Sequence, residues 1–314
     1  MSDLAKHPAT LSPEQPLIRD RCFHSDGAFA EFPREEVEQS ISARFEKIVA
    51  QYPNQLAIKT ASEAVSYAEL NAMANRLAHA IGSKRSRAGK PIGILLEKGV
   101  EQVATMLGVL KAGKFFVLLD TAFPQSRIAA ILADSEADLV VSDRETSTAM
   151  RMESHSDLQL VLVESTTESD RVQDICLAIS PDEIACISYT SGSTGQPKGV
   201  IQAHLNLLHE HALRTRSSAV NEHDRVALLT TGTSNAISNT FQALLTGATL
   251  CPFDVKNEGV HRLASWLVDE KISVCLISSS LFRSLCQTLN GRDNFPELRF
   301  LRLRSESAYK TDVA

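Results

Sequence analysis

Two uninterrupted apolar runs, PIGILL (91–96) and KFFVLLD (114–120), flank a helical segment, EQVATMLGVLKAG, that closes on Gly113. Strands that are apolar on both faces must be covered on both faces, which a parallel sheet with crossover helices achieves and a sheet with one wet face does not. The pattern recurs along the chain. Helix SRIAAILADSEAD precedes strands LVVSD, LQLVLV and EIACISY, and helix HLNLLHEHALR precedes strand VALLTT. Helix SNAISNTFQALLTGA, strand TLCPF, helix VHRLASWLVDEK and strands SVCLIS and LRFLRL follow. Alternation of this kind predicts an α/β fold with largely parallel sheets flanked by helices.

Local signals set the earlier boundaries. Ile41, Phe45, Ile48 and Val49 fall at helical spacing, and Pro53 ends that helix before a short strand at LAIKT. In VSYAELNAMANRLAHAI, Ser66 and Glu69 stand at capping-box spacing before a Leu70, Met73, Leu77, Ile81 stripe. Leu263, Trp266 and Leu267 read as a core stripe. Residues 1–36 are rich in Pro and charge and read as an extension or linker, and 37–314 as the folded part.

In open α/β sheets, ligands bind beyond the carboxyl ends of the strands. One strand there runs into SYTSGSTGQPKGV, residues 188–200. Glycines let backbone amides turn toward an anion, hydroxyls add neutral donors, and a lysine brings positive charge to phosphate oxygens. The run is not a Walker A motif, because Lys198 lies between Pro197 and Gly199 and is followed by VIQAH. A net charge of -6 argues against nucleic acid or an anionic membrane as partner, and no stretch has the length of a membrane span. Six cysteines without a CxxC pair suit a reduced, cytoplasmic chain, with most of them buried as small apolar groups. His209 and His211 flank Glu210 without HExxH spacing, so no metal site is assigned to them.

YTSGSTGQPKGV resembles the phosphate-loop signature of the adenylate-forming superfamily, which includes acyl-CoA synthetases, luciferases and the adenylation domains of nonribosomal peptide synthetases. VSYAELNAMANRLAHAI and LKAGKFFVLLD resemble the first two core motifs of the peptide-synthetase domains, with Leu118 where the family usually has proline. The similarity runs from about Glu38 to the end of the chain. It implies attack of a carboxylate on the α-phosphate of MgATP and transfer of the acyl group to a thiol, on a carrier-protein phosphopantetheine or coenzyme A. Thr190, Ser191, Ser193, Thr194 and Lys198 would then grip the phosphates, with Lys198 and Thr194 acting in catalysis and Gly192, Gly195 and Gly199 shaping the loop. His204 would either shape the ATP end of the site or cap the helix that starts near Leu205.

TTGTSNAISNTF aligns with the fourth core motif, which lines the acid pocket. Counting back from LLTGA places Ser234 where domains that activate α-amino acids typically carry aspartate, with Asn235 and Ser238 beside it. A serine does not neutralise a buried ammonium, so an aryl, hydroxy, β-amino or fatty acid is expected instead. Near the carboxyl end, Ser305, Glu306 and Ser307 occupy the region of the family's Gly-Gly-Glu turn. The resemblance implies that the adenine, magnesium and ribose contacts and the small domain with the catalytic lysine lie beyond these 314 residues. The chain is thus expected to be an adenylate-forming ligase portion with severely impaired activity alone. The alternative is a noncatalytic nucleotide-binding or interaction module.

Overall fold

A computed structural model describes residues 34–84, 87, 89–150, 152, 158–169, 171–191, 197–229, 233–290 and 293–304. Among them, twelve strands form two six-stranded sheets. The first sheet is built on β3 (Ile92–Leu95), β4 (Phe116–Leu119) and β5 (Leu139–Ser142), all buried along their whole length. β3 pairs in parallel with β4 on one side and β5 on the other. β6 (Gln159–Leu162) extends the sheet beyond β5. β7 (Ile184–Ser191) and β8 (Pro197–Ala203) complete it beyond β4. Gly93 lies where a Cβ would come within 2.8 Å of Val140 Cγ2, so any larger residue there would force the Val140 side chain to shift.

The second sheet has β9 (Arg225–Leu228) and β10 (Thr249–Pro252) at its centre, with β11 (Val274–Ser278) and β12 (Phe300–Arg304) on one side. β1 (Leu56–Lys59) and β2 (Ala64–Ser66) stand on the other. Pairing is parallel except for β1 with β2 and β7 with β8. Both sheets match the largely parallel α/β architecture that the alternating pattern predicts.

Helices fill the space around the sheets: α1 (Ile41–Gln51), α2 (Tyr67–Gly82), α3 (Val100–Lys111), α4 (Gln125–Ser135), α5 (Arg144–Ala149), α6 (His204–Ser218) and α7 (Thr233–Leu244). The short α8 (Val255–Glu258) and the helices α9 (Val260–Asp269) and α10 (Ser279–Thr288) follow. The largest apolar core joins Ile92, Ile94 and Phe116 of the first sheet to Ile58, Val226 and Leu250 of the second, through Leu107 of α3 and Phe241 of α7. A second core gathers Leu263 and Leu267 of α9 with Cys275 and Ile277 of β11, and Trp266 packs against it. Of the five cysteines described, Cys186, Cys251 and Cys275 are buried, while Cys176 and Cys286 are exposed.

The start of α2 carries the capping box expected at Ser66. Its hydroxyl accepts the Glu69 amide at 3.3 Å, and Glu69 Oε2 accepts the Ser66 amide at 2.7 Å. Two otherwise unpaired amides are satisfied, so Ser66→Ala is expected to cost about 1 kcal/mol in urea unfolding. A loss within error of zero would assign the helix start to packing alone. Gly113, just past α3, has φ +65°, the left-handed conformation of a helix-ending glycine.

Candidate active site

β7 begins as a strand of the parallel sheet and ends as one arm of a hairpin. Cys186 and Ile187 pair with Phe116 and Val117 of β4. Beyond them, among the described residues, Ser188 to Ser191 pair with β8 alone, in the register Ser188↔Val200, Tyr189↔Gly199, Thr190↔Lys198 and Ser191↔Pro197. Gly192, Ser193, Thr194, Gly195 and Gln196, which join the two arms, lie outside the described residues, and Thr190 and Ser191 are described as backbone. Lys198 and Gly199 are exposed on the return arm.

The root of the hairpin is anchored. Tyr189 is buried, and its hydroxyl donates to Asp134 Oδ2 of α4 at 2.5 Å. Burial, with the adjacent Asp134 carboxylate, holds this phenol protonated far above its ordinary range. A Cβ at position 199 would stand 3.3 Å from the Tyr189 ring and 3.1 Å from Ile187 Cγ2, so glycine there lets β8 lie close over β7. Ser188 Oγ donates to Gln202 Oε1 at 3.1 Å, a second tie between the arms.

His204 is the first residue of α6 and is buried. Its Nδ1 accepts the amide of Ile41, the first residue of α1, at 3.1 Å. Burial pushes its pKa down to about 4, so the ring is neutral at pH 7. The helix itself is capped from Ala203, whose amide donates to Asn206 Oδ1 at 2.9 Å. His204 therefore joins α1 to α6 through a neutral acceptor nitrogen.

α7, which carries the expected acid-pocket positions, packs against both β7 and α6. Ser234 and Asn235 are half-buried on its first turn, and Ser238 is buried one turn on. Ser238 Oγ donates to Glu210 Oε2 at 3.1 Å. Glu210 Oε1 accepts Arg214 Nε at 2.8 Å, and Arg214 Nη1 donates to Asn239 Oδ1 at 3.1 Å. Asn235 Oδ1 accepts Arg304 Nη1 from β12 at 3.2 Å. Sequence reasoning missed Glu210, Arg214 and Arg304 as companions of these positions. The four-residue spacing of Glu210 and Arg214 was a visible sign of a helical ion pair. Nothing local places Arg304, which lies 69 residues from Asn235.

A cavity of about 170 Å³ opens at the carboxyl ends of β3, β4 and β10, lined among others by Leu96, Lys98, Gln102, Asp120, Ala236 and Lys256. Ala236 belongs to α7, so the cavity reaches the helix on which the acid-pocket positions are expected. Among the described residues, no group of three or more His, Cys, Asp or Glu is arranged to hold a metal ion, and no helix is long and apolar enough to cross a membrane.

Residues 45–310 match the family described as AMP-binding enzyme. Tyrocidine synthase 1 of Brevibacillus parabrevis is 31% identical over 229 residues, which cover 73% of this chain and 21% of the relative. Surfactin synthase subunit 2 of Bacillus subtilis (strain 168) is 34% identical over 282 residues, covering 88% of this chain and 8% of that protein. This chain thus spans about a fifth or less of the length of these relatives. The inhibitor-bound N-terminal domain of FACL13 from Mycobacterium tuberculosis superposes with a TM-score of 0.78 at 20% identity, over 88% of this chain and 72% of that one. The nonribosomal peptide synthetase FmoA3 gives a TM-score of 0.75 at 23% identity, over 92% and 30%. With the family match running through both sheets, the hairpin and α7, the chain belongs to the AMP-binding enzyme family.

Proposed function

We propose that this chain takes part in ATP-dependent activation of a carboxylic acid, gripping the triphosphate with residues 190–199 and holding the acid against α7. The observation that carries this reading is the hairpin. A strand rooted in the parallel sheet extends beyond β4 and pairs Thr190 with Lys198, and in the sequence the Gly/Ser/Thr run lies between the two. Lys198, Thr190, Ser191, Ser193 and Thr194 would offset charge on the phosphates, and Gly192, Gly195 and Gly199 would let the backbone approach them.

A carboxylate oxygen attacks the α-phosphorus, the bond from that phosphorus to the β-phosphate bridging oxygen breaks, and pyrophosphate leaves with its charge held by the loop. The nucleophile is already an anion, so no general base is assigned. The barrier to this step is the approach of one anion to another, which donors aimed at the phosphates reduce. Magnesium enters with the nucleotide as MgATP. The acyl-adenylate then yields its acyl group to a thiol of a carrier-protein phosphopantetheine or coenzyme A, and AMP leaves. We place this chemistry in the cytoplasm, in keeping with six cysteines that include no CxxC pair.

The test is calorimetric binding of MgATP to the 314-residue chain, with acid-dependent exchange of labelled pyrophosphate into ATP on the same preparation. Lys198→Ala is expected to weaken ATP binding by about 10-fold or more, and to lower exchange by about 100-fold wherever exchange is measurable. ATP binding unchanged in both Lys198→Ala and Thr194→Ala would overturn the assignment of the loop, and no ATP binding by the unsubstituted chain would overturn the reading that these 314 residues hold the nucleotide. ATP binding without exchange for any acid would favour a nucleotide-binding module.

A further inference from the structure

β12 turns alternate residues to opposite sides. Leu301 and Leu303 pack against the core around α9 and β11, whereas Phe300 packs against the large core between the sheets. Arg302 and Arg304 share the side of Phe300. The Arg302 guanidinium lies 5.3 Å from the Phe300 ring centre, and its Nη2 donates to Ser217 Oγ of α6 at 2.7 Å. Arg304 reaches Asn235 of α7. Both arginines are half-buried.

Arg304 lies within electrostatic reach of Arg214, Arg302 and Glu210, and Arg302 within reach of Arg214. Glu210 is already engaged on both oxygens, by Arg214 and by Ser238. Among the described residues, Arg302 and Arg304 make hydrogen bonds to neutral oxygens and no ion pair. Burial, and then the like charges of Arg214 and Arg302, lower the pKa of Arg304 against the pull of Glu210. Burial and Arg214 do the same to Arg302. Among the described residues, positive charge in this wall is thus partly desolvated and exceeds the negative charge beside it, a state that an anion would relieve.

We infer that the acid taken by this site carries a second carboxylate, held by Arg304 beside Asn235, and has no ammonium group there. The inference rests on the acid-activating reading above and names its substrate class. Ser234 offers an ammonium no negative charge, and the arginines repel it. An uncharged tail would leave the Arg304 guanidinium further desolvated with only an amide oxygen as partner. A carboxylate accepts from the guanidinium fork on two oxygens, a geometry a hydroxyl or amide does not match.

The experiment measures binding of glutarate and adipate, against valerate, hexanoate and norvaline, to the full 314-residue chain with a nonhydrolysable ATP analogue present. At least one dicarboxylate is expected to bind about 10-fold or more tightly than the monocarboxylate of equal length. Arg304→Gln is expected to erase that difference while leaving nucleotide binding unchanged, and Arg304→Lys to keep part of it. Equal or tighter binding of a monocarboxylate or norvaline, a preference that survives Arg304→Gln, or no acid bound at all would overturn the inference. Nucleotide binding read on the same samples separates the two levels. ATP bound through Lys198 without a dicarboxylate preference removes this inference alone, whereas loss of nucleotide binding by the unsubstituted chain removes the reading beneath it.

Discussion

Asp224→Ala is expected to destabilise the protein by about 3–5 kcal/mol in urea unfolding, because it leaves a buried guanidinium without its counter-charge. The Asp224 carboxylate is fully buried, and Arg299, 11% exposed, meets it with Nε on Oδ1 at 3.0 Å and Nη2 on Oδ2 at 2.5 Å. Ser273 Oγ donates to Oδ1 at 2.6 Å and the Asn221 amide to Oδ2 at 2.9 Å. Arg299 also donates to the carbonyls of Ser218 and Ala219, both at 2.8 Å, at the end of α6. The cluster therefore fastens the entry of β12 to α6 and so sets where Arg302 and Arg304 lie. A loss below about 1 kcal/mol, as for an exposed pair, would contradict this account.

The same carboxyl predicts a pH dependence. Burial alone would raise its pKa, but the Arg299 hydrogen bond and charge, with Ser273 and Asn221, outweigh burial and hold it below the ordinary 3.8. A carboxyl lowered on folding stabilises the native state above its unfolded value, and that contribution is lost as pH falls through the folded one. Asp224→Asn should therefore be less stable than the unsubstituted protein at neutral pH, with the gap narrowing below about pH 4.

Gly108→Val is expected to cost about 3 kcal/mol through overpacking. Gly108 lies where α3 crosses α2, and a Cβ there would sit 2.8 Å from the carbonyl oxygen of Ala74 and 2.8 Å from Leu77 Cβ. Both neighbours are fixed to the backbone of α2, so neither can swing aside, and relief requires the helices to separate. Leu107 and Val109, beside it on α3, are buried in the core shared by the two sheets, so separation would be felt on both. Thermal unfolding of Gly108→Ala and Gly108→Val measures the effect, and a Val variant within about 0.5 kcal/mol of the unsubstituted protein would show that the contact yields.

Much of this architecture was legible because its signals are local. The capping box at Ser66, the helix-ending Gly113 and the fully apolar β3 and β4 each depend on residues a few positions apart. α10 was missed: SSLFRSLCQT has four polar residues besides its serine-rich start, and its helix becomes evident through Leu285, which is buried against β11 and its neighbours. β8 was missed for a related reason. PKGVIQA has little apolar alternation, and Val200 and Ile201 are exposed, so its strand character comes from pairing with β7 rather than from burial.

The candidate site divides in the same way. The phosphate-loop run and the α7 positions are each contiguous in the chain; composition with spacing marks the first as a candidate, and the resemblance to the fourth core motif marks the second. That Thr190 faces Lys198 across a hairpin, that His204 accepts the Ile41 amide 163 residues away, and that Arg304 stands beside Asn235 could not be read there. Strand and helix identity follow from side chains within a turn or two, because backbone sterics and hydrophobic periodicity act over that range. Strand order, and the meeting of Arg304 with α7, follow from which faces bury one another when two sheets close around shared helices, an energy spread over the whole core.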